Sequence, residues 1–361
     1  MNKYRRGVMH MTGSWMIYGA NGYTGELIAR EAVKQGMTPI LAGRSEEKVQ
    51  ALARELNLES RVFSLDQNVS SHLAGIRLVL HCAGPFQKTS APMIEGCLAA
   101  SAHYLDITGE ISVFEHTHAQ HERAAAAGIV LCSGAGFDVI PTDCTALRLK
   151  ELLPEATQLA LGFDSDSGAS RGTLKTMISG LGSGSAERRD GQLIPVPLGS
   201  QARTIDFGRG FKSAMGIPWG DVSTAFFTTG IPNISTWIPM PKNRVRGARL
   251  ASVARPLLNS SFVKHRLQKL IERKVTGPSE TSRMQNPAFI WGEAVNSAGT
   301  ALIVRIRTAN VYDVTVFGAL EMTARLRQHE FTGGSYTPAL LFGSSFIEQL
   351  PGSGSFQVFW T

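Results

Sequence analysis

Trp15-Met16-Ile17-Tyr18-Gly19-Ala20-Asn21-Gly22-Tyr23-Thr24-Gly25 is an apolar run that breaks into three evenly spaced glycines. The run predicts a buried strand, and the glycines predict a tight turn into a helix, the first βα unit of a dinucleotide site. Gly19 lets the backbone turn sharply out of the strand. Gly22 has no Cβ to hold a pyrophosphate away, and Gly25 lets the helix pack closely on the sheet. The helix N-terminus offers N–H groups and a positive dipole end to phosphates. The spacing is Gly-x-x-Gly-x-x-Gly, a variant of the commoner Gly-x-Gly-x-x-Gly. Gly19, Ala20, Asn21, Gly22, Tyr23, Thr24 and Gly25 are therefore the candidate contacts to the coenzyme diphosphate.

Downstream, Leu27, Ile28, Ala32 and Val33 recur at helical spacing from Gly25 to Gln35, and Gly36 closes the helix. A second strand, Pro39 to Ala42, ends in Gly43-Arg44-Ser45. An NAD site places a carboxylate near this strand end to bind the ribose 2′-hydroxyl. Here Arg44 and Ser45, with Lys48 a turn later, suit a 2′-phosphate and favour NADP(H). A third strand, Arg61 to Leu65, ends at Asp66, placed to meet the adenine edge. Leu78 to His81 reads as a fourth strand, broken by Cys82-Ala83-Gly84-Pro85-Phe86. A helix from Ala91 to Ser101, a fifth strand from Tyr104 to Ile107 and a sixth from Gly128 to Cys132 follow. Apolar strands alternating with amphipathic helices imply a parallel sheet covered on both faces, with ligands beyond the strand carboxyl ends. That rule adds Arg44, Ser45, Asp66, Cys82, Ala83, Gly84 and Pro85 to the cofactor candidates.

After about Pro141 the texture changes. Strand-like segments at Gln158–Phe163, Thr224–Thr228 and Ala301–Ile306 are separated by long Gly-, Ser- and Pro-bearing connections. The expected fold class is α/β: a Rossmann-type doubly wound parallel sheet with an inserted, mostly antiparallel α+β second domain. The expected domains are 1–146 for dinucleotide binding and 147–328 for substrate. Residues 329–361 then return to the first domain through a helix at Tyr336–Phe342.

No stretch approaches the length of a membrane helix, and Met1 to Ser14 is a basic leader without the apolar core of a signal peptide. Cys82, Cys97, Cys132 and Cys144 lie in or beside apolar segments without a Cys-x-x-Cys pair. Buried free thiols and a reducing cytoplasm are expected. The net charge of +7 is carried by the second part of the chain, and ten basic residues between Lys242 and Lys274 face only Glu272. This stretch, 242–274, suits a solvated helix face, or contact with a membrane surface, a coenzyme A phosphate or an acidic carrier protein. No nucleic-acid motif accompanies it.

Hydride transfer needs a proton donor near the nicotinamide. Asp106, Asp138 and Asp143 follow the fifth and sixth strands and are the catalytic candidates, with Glu110 and Tyr104 beside them; helix caps are the alternative roles for Asp138 and Asp143. Arg171 and Lys175 are candidates to bind a substrate anion or the cofactor phosphate, with a structural salt bridge as the alternative role. No tyrosine has lysine four residues on, which excludes short-chain dehydrogenase chemistry, and no Gly-x-Ser-x-Gly elbow is present. His116, His118 and His121 lack partners at zinc spacing and read as polar helix surface, so no metal is expected. Trp219 to Met240 is rich in Phe226, Phe227, Ile231, Ile234, Trp237 and Ile238, which suits a core or an acyl pocket.

Several segments together resemble one family. Gly-Ala-Asn-Gly-Tyr-Thr-Gly at 19–25, Ala-Gly-Arg-Ser at 42–45, His-Cys-Ala-Gly-Pro-Phe at 81–86, Tyr-Leu-Asp-Ile-Thr-Gly-Glu at 104–110 and Gly-Phe-Asp-Val-Ile-Pro-Thr-Asp at 136–143 are similar to saccharopine dehydrogenase-like NADP-binding proteins. Ser-Arg-Gly-Thr-Leu-Lys-Thr at 170–176, Gly-Ile-Pro-Asn at 230–233 and Tyr-Thr-Pro-Ala at 336–339 resemble the trans-acting enoyl reductase branch. The resemblance implies an NADP(H)-dependent oxidoreductase acting on a C=C or C=N bond of a small-molecule or acyl-carrier-linked substrate. The sequence leaves the oligomeric state open, a homo-oligomer included. A non-catalytic NADP(H)-binding regulator and a saccharopine-type amino-acid dehydrogenase are the alternatives.

Overall fold

The computed structural model describes residues 14–167, 185–253 and 286–360. Two units divide the chain: Met1–Asp138 with Tyr312–Leu341, and Val139–Val311 with Phe342–Thr361. The insertion thus begins just after Asp138, earlier than residue 147. The long helix Val311–Gln328 falls almost wholly in the first unit, where Phe137 N–H donates to Thr315 Oγ1 at 3.0 Å.

The first unit alternates β1 (Ser14–Tyr18), α1 (Tyr23–Lys34), β2 (Ile40–Gly43), α2 (Glu46–Leu56), β3 (Ser60–Val62), α3 (Val69–His72) and β4 (Ile76–His81). It continues with α4 (Phe86–Ala100), β5 (His103–Asp106), α5 (Ile111–Ala119), α6 (His121–Ala126) and β6 (Val130–Cys132). All strands pair in parallel, in the order Gly334–Ser335, β6, β5, β4, β1, β2, β3. Helices on both sides bury the strands, which is why β1 and β4 read as continuous apolar runs. Met16, Ile17, Leu41, Leu78 and Leu80 are fully buried, each contributing about 2 kcal/mol of burial free energy. Strand order reverses between β1 and β4, and ligands of such sheets lie beyond the carboxyl ends at that point.

The expected helix at Tyr336–Phe342 is shorter, Pro338–Phe342, and the return to the sheet is made by Gly334–Ser335 instead. His121 holds that strand: Ser335 N–H donates to its Nδ1 at 3.1 Å.

The second unit opens with α7 (Ile140–Leu152) and β7 (Ala156–Ser165), followed by β8 (Ser185–Arg189), β9 (Gln192–Val196), β10 (Ala202–Asp206) and β11 (Phe211–Gly216). Then come α8 (Asp221–Thr229), β12 (Asn233–Pro239), α9 (Lys242–Val253), β13 (Ala288–Asn296), β14 (Ala301–Thr308) and the strand Gln357–Trp360. The sheet is mixed, β12 and β7 being parallel and the other described pairs antiparallel. In β14 Leu302, Val304 and Ile306 alternate inward with Ile303, Arg305 and Arg307 on the other face. Gly292 admits α7, since a Cβ there would stand 2.7 Å from Thr145 Cγ2.

Thr224–Thr228 is helical, inside α8, and not a strand. Its β-branched and aromatic residues were misleading because Gly230, in the left-handed region, ends a short helix whose buried Val222 and Ala225 are spaced at three. Among the described residues no helix is long and apolar enough to cross a membrane.

Candidate cofactor site

The turn after β1 is fixed by its own backbone. Gly19 N–H and Ala20 N–H both donate to Ala42 O, at 2.7 and 3.1 Å, and Gly22 N–H donates to Gly19 O at 3.0 Å. Gly19 has φ +85°, and a Cβ there would stand 2.7 Å from Ala83 N. A Cβ on Gly25 would stand 2.3 Å from Gly19 O. Both glycines are therefore required by the close approach of backbone to backbone. Gly22 differs: it is exposed, and a Cβ would meet only Gly19 O, at 3.3 Å. Its bare face is turned outward, as a cradle for a diphosphate requires. Gly22 is also the N-cap of α1 and supplies no side-chain cap. Asn21, Tyr23 and Thr24 are half-buried around this turn while Ala20 is sealed within it.

Two residues outside the motif shape it. Gly43 leaves room for Asn21, whose Oδ1 lies 3.0 Å from the position of a Gly43 Cβ. Tyr312 packs edge-on against Tyr23 with ring centroids 5.2 Å apart. The glycine at the end of β2 was a detectable signal; Tyr312, far along the chain, was not.

Arg44, Ser45 and Asp66 gather at the carboxyl ends of β2 and β3. Tyr18 links them: its hydroxyl donates to Phe63 O at 3.1 Å. Burial pushes the phenol pKa up, with Arg44 pulling it down and Asp66 raising it further, so both charges lie within electrostatic reach of one ring. Arg44 and Lys48 are exposed, and among the described residues no carboxylate lies within ion-pair distance of Arg44. Ser45 is the N-cap of α2, yet its hydroxyl makes no cap bond. Two cations and a hydroxyl without internal work fit a phosphomonoester.

The β4–α4 loop borders the glycine turn. Cys82 N–H donates to Tyr18 O at 2.7 Å, continuing the β1–β4 pairing. Its half-buried thiol has its pKa pushed up by burial and by Asp106, which disfavours the reactive thiolate. Gly84 and Pro85, joined by a cis peptide bond, are exposed at the rim. α4 begins at Phe86 and not at Ala91, because Glu110 caps it from another loop. Phe86 N–H donates to Glu110 Oε1 at 3.1 Å and Gln87 N–H to Oε2 at 2.8 Å.

The three catalytic candidates separate by geometry. Asp106 is fully buried and accepts from Tyr104 Oη, Thr108 N, Ser133 Oγ and Gly134 N at 2.7 to 3.0 Å. It ties the exit of β5 to the exit of β6, with no face left for a reactant. Asp143 is also fully buried, within the first turn of α7, and accepts from Thr228 Oγ1. Neither it nor Asp138 occupies the N-cap position of α7, which is Val139. Asp138 is partly exposed, lies over Gly109, where a Cβ would stand 2.6 Å from its Oδ2, and has its pKa pushed up to about 7 by burial.

Arg171 and Lys175 lie outside the described residues, as does 254–274 of the basic stretch. The described part of that stretch exposes Lys242, Arg244, Arg246 and Arg249 on α9. The apolar segment from Trp219 to Met240 is distributed among three cores: Ile231 and Ile234 under α7, Trp237 beside Trp291, and Trp219 with Ile238 beneath α9.

Residues 15–132 match the family model for the saccharopine dehydrogenase NADP binding domain. The human saccharopine dehydrogenase-like oxidoreductase is 28% identical over 214 residues, covering 51% of this chain and 50% of that protein. The trans-acting enoyl reductase of Mycobacterium bovis is 26% identical over 218 residues, covering 56% of this chain and 51% of that protein. The chain thus spans about half the length of the curated relatives it matches. In fold, it superposes on apo saccharopine dehydrogenase (L-Glu forming) from Saccharomyces cerevisiae with TM-score 0.62 at 11% identity, covering 96% of this chain and 100% of that one. The residues matched by that family model lie within the first unit.

Proposed function

We propose that this chain is an NADP(H)-dependent oxidoreductase acting on a C=C or C=N bond of an apolar or acyl-linked substrate, with Asp138 as proton donor. The observation that carries the reading is Arg44, an exposed cation at the end of β2, beside a backbone cradle that Gly19, Gly22 and Gly25 keep open. Gly19 to Gly25 would hold the diphosphate, Arg44 and Ser45 the 2′-phosphate, and Asp66 the adenine edge. Cys82 to Pro85 would border the nicotinamide half. NADPH supplies a hydride when bound.

The protein's own contribution is a proton held at a carboxyl group. Asp138 is half-protonated near neutrality, whereas an ordinary aspartate has lost its proton. The relative named as an enoyl reductase supports a C=C substrate, and the exposed cations of α9 support one delivered on an acidic carrier.

The test is NADPH oxidation over enoyl thioesters and imines, followed spectrophotometrically. One class turns over in the wild type, and failure of every class, with NADPH bound, favours the regulatory alternative. The acid must be protonated to act, so kcat falls as pH rises through about 7. Asp138→Asn lowers kcat by about a hundredfold and removes that limb of the profile. An unchanged profile in the variant assigns the proton to another group.

A further inference from the structure

We propose that His81 is a positioning residue: one hydrogen bond from its Nε2–H to Thr89 fixes the Cys82–Pro85 loop in the conformation that receives the coenzyme. The inference rests on the cofactor reading above. It concerns a residue that the reaction itself does not use.

His81 ends β4 in register with Tyr18 of β1 and Asp106 of β5. It therefore sits at the carboxyl edge where the strand order reverses. Its ring is wholly buried among aromatic neighbours, with centroids 5.4 Å from Phe86, 5.5 Å from Tyr18 and 6.1 Å from Tyr104. Its Nε2 lies 3.0 Å from Thr89 Oγ1, in the second turn of α4.

That hydroxyl decides the tautomer. Thr89 Oγ1 lies 2.6 Å from Ala83 O and 3.2 Å from Pro85 O. Two oxygens 2.6 Å apart require a proton between them, and a hydroxyl has only one. Thr89 must therefore donate to a loop carbonyl and accept from His81, which places the imidazole proton on Nε2. Nδ1 is left bare and has no partner among the described residues. Burial lowers the ring pKa to about 3, so the imidazole is neutral and keeps this tautomer through the working pH range.

The arrangement has a cost and a function. A leucine would fill the same space without burying a bare acceptor, but it could not set Thr89. The loop atom that Thr89 grips is the carbonyl of Ala83, the residue whose backbone N stands 2.7 Å from the position of a Gly19 Cβ. The His81–Thr89–Ala83 chain thus holds the β4 loop at a fixed distance from the glycine turn, so both walls of the crevice are set before the coenzyme arrives.

Two measurements test this. In ¹⁵N-histidine-labelled wild-type protein, two-bond correlation spectra should give His81 the Nε2–H pattern, and an Nδ1–H pattern overturns the proposal without reference to any ligand. Calorimetric titration with NADPH should then show binding weakened about tenfold or more in His81→Leu and in Thr89→Val. His81→Gln, which keeps a donor at similar reach, should stay within about threefold of wild type. Wild-type affinity in His81→Leu overturns the proposal, as does equal weakening in His81→Gln, which would mark a packing role. A wild-type protein that takes up no NADPH refutes the cofactor reading and, with it, this one.

Discussion

Replacing Gly25 with alanine abolishes measurable NADPH binding and lowers the stability of the first unit by about 2–3 kcal/mol. The new methyl carbon would stand 2.3 Å from Gly19 O and 3.0 Å from Gly19 C, both backbone atoms of the turn proposed to hold the diphosphate. A flexible side chain could yield; this backbone cannot, because Gly19 N–H is bonded to Ala42 O. Either α1 moves off the sheet or the turn opens, and each destroys the cradle. Gly22→Ala is the informative control. Its Cβ meets only Gly19 O at 3.3 Å, so the melting midpoint stays near wild type while NADPH affinity falls, the methyl facing the diphosphate. Thermal unfolding and calorimetry on both variants check the pair. Wild-type affinity in Gly25→Ala would remove the turn from the site.

Arg44→Ala weakens NADPH binding by about 10- to 100-fold and changes NADH binding by less than about threefold. The loss corresponds to one charge-assisted contact with the 2′-phosphate, worth about 1.5–3 kcal/mol. The substitution costs the fold little, since Arg44 is exposed and makes no ion pair among the described residues. Competition titrations with the two coenzymes at fixed ionic strength measure the ratio. Equal losses for NADPH and NADH would assign Arg44 to the diphosphate or to the surface, and would leave the coenzyme preference unexplained.

The first sheet was legible because its signals are local. Strands buried on both faces leave unbroken apolar runs such as Leu78–Leu80, and each glycine of the first turn lies within seven residues of the others. The exposed position of Arg44 was legible for the same reason, being read from its place directly after β2. Features set by distant partners were not. The start of α4 was placed five residues late, since the carboxylate that caps Phe86 and Gln87 belongs to Glu110. Asp106 resembled a catalytic acid until Ser133 and Gly134, on the exit of the next strand, occupied its oxygens. The limits of the insertion were hidden because Thr315, which binds Phe137 N–H, lies beyond the whole of Val139–Val311 in sequence.

The second unit was harder to read for a different reason. The charged strand β8, Ser-Ala-Glu-Arg-Arg, carries Arg188, whose buried guanidinium donates to Val222 O and Gly191 O and stacks over Phe226. In β10 Arg203 pairs with Glu293 while lying over Trp291. Arginine used this way buries its stem and satisfies its donors. A hydrophobic periodicity has no means of registering that, so strands built on it look like loops.

Titration of NADPH and NADH into the unmodified chain, followed by calorimetry and by the melting midpoint, tests the central claim that a 2′-phosphorylated dinucleotide occupies the carboxyl edge of the first sheet. Saturable one-to-one heat with NADPH, a raised midpoint and at least about tenfold weaker binding of NADH are expected. Absence of heat together with an unmoved midpoint at millimolar NADPH would contradict that claim.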